Sequence, residues 1–213
     1  LGRVRVGGRA VVKPGLFVDE SAPIELAALE RYVSRAGLKL AGAGKTFNLN
    51  FRGKTVLDVG SSTGGFTDFA LQHDAKKVYA VDVGTDQLHP SLRGNKRIEL
   101  YEKTDIRDFV PSETPDMVVI DVSFISLRQI LPHVAKIVDK NTTIAAMVKP
   151  QFEAQRQQLT RGGVVKNDGV RRAILREFEQ WARANFIIIN KADSEVKGAH
   201  GNLERFYILR KAG

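Results

Sequence analysis

One apolar run, closed by an aspartate and a string of small residues, constrains this chain more than any other stretch. Thr55 to Val59 reads as a buried strand, Gly60-Ser61-Ser62-Thr63-Gly64 are all small, and a helical pattern opens at Gly65. A strand that enters a helix through glycines brings backbone N–H groups to a ligand with no side chain in the way. The helix start adds a partial positive charge there. Asp58 then narrows the choice of ligand. A dinucleotide phosphate site wants glycine at this position and repels a carboxylate. Asp58, two residues before Gly60, suits a ligand end that is cationic and lacks phosphate, such as the methionine moiety of S-adenosylmethionine. It disfavours an NAD-dependent dehydrogenase for the same reason.

From Thr55 onward strand and helix patterns alternate. Strands are expected at Thr55–Val59, Lys77–Asp82, Ile98–Tyr101, Asp116–Asp121, Thr142–Val148 and Phe186–Ala192. Helices are expected near Phe66–His73, Leu127–Val138 and Val170–Arg183. Ser126 and Gln129 form a capping box for the second of these, and Asn167 or Asp168 caps the third. Such alternation with apolar strands implies an α/β fold with a parallel sheet covered on both faces. A last strand, Leu203–Leu209, follows its predecessor through a short link, so it is expected to run antiparallel. Leu26 to Leu40 shows helical spacing with Arg31, Arg35 and Lys39 on its wet stripe, and Gly42 and Gly44 are expected to end it. The polar segment Gln151–Lys166 reads as a long loop at the end of a strand, where α/β sites lie.

The first two dozen residues are different. Val4, Val6, Ala10 and Val12 alternate with Arg3, Arg5, Arg9 and Lys13 around Gly7-Gly8, the pattern of a small β-hairpin. Leu16-Phe17-Val18 reads as a further short strand. So short a piece cannot bury a core by itself. The chain of 213 residues carries a formal charge of +9 and is 43% hydrophobic, enough for one α/β domain and a small appendage. That charge favours a polyanionic partner, and nucleic acid is the commonest inside a cell. No apolar run is long enough to span a bilayer, and no secretory leader pattern occurs. Cysteine is absent and the four histidines lack ligand spacing. No metal is therefore expected, and a cytoplasmic location is.

Charged residues collect at the expected strand ends. Asp82 ends the second strand, where a carboxylate can accept from two ribose hydroxyls. Asp105 follows the third and could bond an adenine amino group. Asp121-Val122-Ser123-Phe124 closes the fourth, and Val148-Lys149-Pro150 the fifth. The candidate cofactor residues are thus Asp58, Gly60, Ser61, Ser62, Thr63, Gly64, Gly65, Phe66, Asp82 with Val83, Asp105 with Ile106, and Asp121.

Several segments together resemble the FtsJ-like ribose 2′-O-methyltransferases, and more closely the TlyA/hemolysin A family of ribosomal RNA methyltransferases. They are Tyr32–Leu40, Asp58–Asp68, Asp121–Leu127, Val148–Glu153 and Gly201-Asn202-Leu203-Glu204. The resemblance implies a Rossmann-like methyltransferase fold with a seven-stranded sheet over residues 26–213 and S-adenosylmethionine as cofactor. It also implies methyl transfer to ribosomal RNA or ribosomal subunits, and a Lys39, Asp121, Lys149, Glu204 tetrad. Lys149 is expected as the base, its pKa lowered by burial and by Lys39 by up to ~3–5 units. Residues 1–25 resemble the second half of an alpha-L RNA-binding domain, whose helical first half would lie upstream of Leu1. Ala36 stands where the family's helix motif has glycine. The competing functions are an RNA-binding protein of the same fold without turnover and a cytolysin. The four intact tetrad residues weigh against the first. The lack of a strongly amphipathic cationic helix weighs against the second.

Overall fold

The computed structural model describes residues 4–11, 15–26, 31–198 and 201–212. The chain divides into two compact units, Leu1–Arg31 and Tyr32–Gly213. In the first, Val4–Val6 (β1) pairs antiparallel with Arg9–Val11 (β2). Gly7 and Gly8 turn the chain at φ +55° and +77°, the left-handed pair that a two-residue hairpin needs and that glycine adopts without steric cost. The third strand is not Leu16–Val18, which is exposed loop with Phe17 fully open to solvent. It is Ile24–Leu26 (β3), antiparallel to the other edge of β1. Apolar character is not sufficient for a strand: once β2 and β3 occupy both edges of β1, its backbone has no pairing left to offer.

The second unit runs α1 (Arg35–Phe47), β4 (Thr55–Val59), α2 (Gly65–Gln72), β5 (Lys77–Val81), β6 (Ile98–Tyr101), β7 (Met117–Ile120), α3 (Leu127–Ile137), β8 (Thr143–Val148), α4 (Pro150–Glu153), α5 (Asp168–Ala182), β9 (Phe186–Asp193) and β10 (Arg205–Lys211). The sheet order is β6-β5-β4-β7-β8-β10-β9. The first five strands in that order are parallel, and β10 is antiparallel to both of its neighbours. Successive residues of β4 serve opposite faces. Leu57 packs with Tyr79, Ile120, Leu131 and Phe178, while Val56 packs with Leu40, Phe69, Met117 and Phe206. Both faces are therefore covered, which is why these strands read as unbroken apolar runs. The connections diverge between β4 and β7. A crevice opens there at the strands' C-terminal ends, the usual ligand position in such sheets.

The helix expected over Leu26–Leu40 begins at Arg35, and residues 27–30 lie outside the described ones. Ser34 is extended (φ −157°), and the Val33 N–H donates to Asp68 Oδ2 at 2.8 Å, which draws the preceding chain away from a helical course. Gly42 and Gly44 do not end α1. The left-handed Asn48 does, at φ +52°. The two glycines are packing positions: a Cβ on Gly44 would stand 3.1 Å from the Phe69 ring, and one on Gly42 3.2 Å from the Glu195 carboxylate. Ser126 caps α3 by accepting from the Arg128 N–H, and the carboxylate at this helix start is Glu153, which accepts from the Ser126 hydroxyl and the Leu127 N–H, in place of the expected Gln129 box. Gln151–Lys166 is not a structureless loop. It holds α4, a 3₁₀ turn at Arg156–Gln158 and a small hairpin bridged at Leu159 and Val165.

Candidate active site

The crevice over β4, β5 and β7 holds a cavity of about 500 Å³, within the ~300–1,000 Å³ range of small-molecule sites. Asp82 stands on its wall. Its carboxylate accepts from the Ser62 N–H (2.8 Å) and the Gly84 N–H (2.7 Å), which fixes its direction and leaves further lone pairs for hydroxyl donors. Val83 and Ile106 supply apolar wall, together with Ile130. Asp105 also lines the cavity but caps the turn after it, accepting from the Arg107 N–H at 2.9 Å. Its ion pair with Arg107 at 2.6 Å holds its carboxyl below the usual carboxylate range. Gly60, at φ +81°, must be glycine, since a Cβ there would stand 2.8 Å from the Asp121 carbonyl oxygen.

A smaller cleft of about 140 Å³ adjoins the turn from β4 into α2 and is lined by Gly60–Thr63, Gly65 and Phe66, with Asp121 and Lys149 on its far side. The Ser61 side chain is buried, and its hydroxyl has no hydrogen-bond partner among the described residues. Gly64 allows close packing rather than lining, and Gly65 does both. A Cβ on Gly64 would meet Leu92 at 2.5 Å, and one on Gly65 would meet Ser34 Oγ at 2.3 Å. Gly37 and Gly65 thus let the starts of α1 and α2 touch backbone to backbone. Ala36 fits beside them, 2.8 Å from where that Gly65 Cβ would be, and Lys39 keeps its place one turn further on.

Asp58 does not line either space. It is 0% exposed, and its Oδ2 accepts from Thr67 Oγ1 at 2.6 Å. Burial, with the charges of Asp121 and Asp82 adding to it, pushes its carboxyl up to about 7, against the opposing effect of the Thr67 bond. Its Oδ1 is buried without a hydrogen-bond partner among the described residues.

A third cavity, of about 520 Å³, lies between the start of α1 and the ends of β8 and β10. Lys39, Lys149 and Glu204 stand on its wall. Lys39 Nζ donates to Glu204 Oε2 at 2.6 Å, both side chains nearly buried. Lys39 therefore leaves the wet stripe that helical periodicity assigned to it. Lys149 Nζ lies 2.7 Å from Asp121 Oδ1, an ion pair too oblique for an aligned hydrogen bond; the aligned one goes to Ser123 Oγ at 2.8 Å. Asp121 reaches the third cavity through Lys149 and itself faces the first two. The four tetrad side chains thus form two nearly buried lysine–carboxylate pairs, and Lys39, Glu204 and Lys149 line one cavity while Asp121 lines the other two. Phe124, at φ +66° and 92% exposed, stands between the first and third cavities. A bulky residue rarely holds that backbone conformation. Ser123, Phe124 and Thr67 were not among the sequence candidates; nearness to Asp121 was the available signal for the first two, whereas Thr67 lies nine positions from Asp58 and only the fold joins them.

The sequence profile described as FtsJ-like methyltransferase matches residues 32–212. The chain belongs to the FtsJ-like methyltransferase family. This FtsJ-like chain is 41% identical over 187 residues to the 23S rRNA (cytidine-2′-O)-methyltransferase TlyA of Campylobacter jejuni, covering 85% of this chain and 72% of that one. It is 37% identical over 215 residues to the 16S/23S rRNA (cytidine-2′-O)-methyltransferase TlyA of Mycobacterium tuberculosis, covering 98% and 80%. Its fold superposes on a solved structure named for a hemolysin of Streptococcus thermophilus with a TM-score of 0.84 and 40% identity, over 99% of this chain and 79% of that one. The FtsJ-like match begins at Tyr32, where the second compact unit begins. Among the described residues of this methyltransferase, no helix is long and apolar enough to cross a membrane, and no group of three or more His, Cys, Asp or Glu could hold a metal ion.

Proposed function

We propose that this chain transfers a methyl group from S-adenosylmethionine to a ribose 2′-hydroxyl of ribosomal RNA, in the cytoplasm. The observation that carries the reading is that Lys39, paired with Glu204, and Lys149, paired with Asp121, line one cavity, while Asp121 lines the crevice at the end of β4. The TlyA relatives act on that substrate class by name, and a charge of +9 favours a polyanionic substrate. We assign the first compact unit, whose third strand carries the boundary past residue 25, to the second half of an alpha-L RNA-binding domain, and the unit from Tyr32 to the methyltransferase.

The cofactor fits the residues present. Asp82 has lone pairs for ribose hydroxyls, Val83, Ile106 and Ile130 offer apolar wall to a base, and the Ser61 hydroxyl awaits a polar partner by the Gly60–Gly65 turn. When bound, S-adenosylmethionine supplies an electrophilic methyl group on a sulfonium sulfur. Asp58 is sealed against Thr67, so its contribution is to the field and rigidity of that turn.

A ribose hydroxyl is too weak an acid to attack a methyl group unaided. With the cofactor bound, Lys149 would orient the ribose hydroxyl and take up its proton. Asp121 and Ser123 fix where the Lys149 nitrogen stands. Lys39, anchored by Glu204, puts positive charge on the substrate side, where it favours the developing negative oxygen and an adjacent phosphodiester. Phe124 offers an open ring face for a base to stack on. General-base help is worth about 10²- to 10⁴-fold. Alignment supplies roughly 7–11 kcal/mol, so positioning carries more of the rate than proton transfer.

The test is to incubate unmodified ribosomal subunits with the protein and methyl-labelled cofactor, digest the RNA with alkali and map the label. Label in alkali-resistant dinucleotides marks a 2′-O-methyl ribose. Label on a base overturns the ribose reading, and no label in RNA overturns the substrate class.

A further inference from the structure

The short helix α4 and the loop from Asp121 to Leu127 touch at three successive points. Lys149 at the head of α4 meets Asp121 and Ser123. The Phe152 ring lies 5.3 Å from the Phe124 ring. Glu153 closes the series: Oε2 accepts from Ser126 Oγ at 2.6 Å and Oε1 from the Leu127 N–H at 2.7 Å. The Glu153 side chain is 1% exposed. Burial pushes its carboxyl up, against the Ser126 and Leu127 bonds and the nearby Arg128. A nearly sealed carboxylate, far along the chain from the helix it caps, is costly to keep unless it performs a task that a neutral local cap would not.

We propose that Glu153 is a positioning residue for methyl transfer: by clasping the first N–H of α3 and Ser126, it holds Asp121, Ser123 and the strained Phe124 in register with Lys149. Local sequence already provides a cap, since Ser126 satisfies the Arg128 N–H by itself. Glu153 adds nothing to that bond. What it adds is a fixed span between the segment bearing the base and the segment bearing the groups that orient the base. Phe124 needs such a span, because its left-handed backbone persists only where the surroundings hold it. Without the clasp, α3 stays folded on its apolar face, but the Asp121–Leu127 loop is released at one end and the Lys149 nitrogen loses its fixed partners. A displacement of about 1 Å at such a centre costs on the order of 10²-fold in rate.

The proposal rests on the reading of Lys149 as the base, so its test has an arm that does not depend on turnover. Glu153→Ala should speed amide hydrogen exchange of residues 122–128 while leaving β4 and β5 unchanged. It should lower kcat about 10- to 100-fold with cofactor affinity within about threefold. Glu153→Gln, whose amide can accept from Leu127 and donate to Ser126, should restore both exchange and kcat to within about threefold of the parent. Should Glu153→Ala not fold, Glu153→Asp, one methylene too short to hold both Ser126 and Leu127, should move exchange and kcat the same way by a smaller factor. Unchanged exchange at 122–128 overturns the clasp. Faster exchange with undiminished kcat overturns its catalytic relevance, and a parent protein that methylates no RNA would instead sink the reading of Lys149. A Glu153→Gln variant as impaired as Glu153→Ala would also overturn the proposal, since charge rather than the span would then be what matters.

Discussion

Lys39 Nζ lies 2.6 Å from Glu204 Oε2, joining the first helix of the methyltransferase unit to the entry of its last strand across 165 positions of sequence. Both side chains are nearly out of solvent. Removing one partner leaves the other charge buried and uncompensated, which costs about 3–5 kcal/mol. Glu204→Ala should therefore lower the melting temperature by roughly 6–20 °C for a chain of this size. The Lys39→Met/Glu204→Met double variant should recover most of the loss in a calorimetric scan while remaining inactive. A double variant as unstable as the single one would show that the pair itself carries little of the effect.

Lys149→Ala should abolish methyl transfer, by at least about 100-fold, while cofactor still binds. Lys149 touches Asp121 and Ser123 but lies across the smaller cleft from the main cofactor cavity. Titration calorimetry with S-adenosylmethionine, set beside single-turnover transfer to RNA, separates the two effects. Undiminished transfer would remove Lys149 from the chemistry.

Asp58 makes stability depend on pH. Its folded pKa of about 7 is above the unfolded value, so the folded state favours the protonated acid. That contribution is fully present below the unfolded pKa, ~3.9, and is lost as pH rises towards 7. Asp58→Asn cannot ionise and can still accept the Thr67 hydroxyl. Its melting temperature relative to the parent should rise by several degrees between pH 5 and pH 8. A difference that is flat with pH would mean that Asp58 titrates normally.

Asn202 ties down the wall of the substrate-side cavity. Its Oδ1 accepts from the Val165 N–H at 3.0 Å and its Nδ2 donates to the Gly163 carbonyl at 3.2 Å, two residues before Glu204. Each such bond is worth about 0.5–1.5 kcal/mol. Asn202→Ala should free the 159–165 hairpin, speed tryptic cleavage after Arg161 and raise KM for RNA about tenfold with little change in kcat. An unchanged cleavage rate would show the hairpin to be held by other contacts.

The strands and the spacing of the site were legible because their causes are local. Thr55–Val59 is a strand because an apolar run ends in glycines, and the Asp58–Gly60 turn belongs there because only glycine tolerates φ +81° against the Asp121 carbonyl. The antiparallel direction of β10 followed from the short link before it. Asp121 and Lys149 were legible as charged residues at strand ends, but Lys39, Glu204 and the grouping of all four were legible only through resemblance, since nothing in helical or strand periodicity pairs positions so far apart.

What the sequence by itself determined was the alternation of elements, the glycine turn at the end of β4 and the charged residues at the strand ends. Tertiary structure decided where α1 starts, through the bond from Val33 to Asp68. It decided that Ile24–Leu26 rather than Leu16–Val18 is the third N-terminal strand. It also decided that Lys39 turns inward, that Ser123 holds Lys149 and that Glu153 caps α3. Each of these depends on a donor and an acceptor, or a strand and its edge, brought together from separate parts of the chain. The free energy that selects them belongs to the pair, and neither stretch of sequence carries it alone.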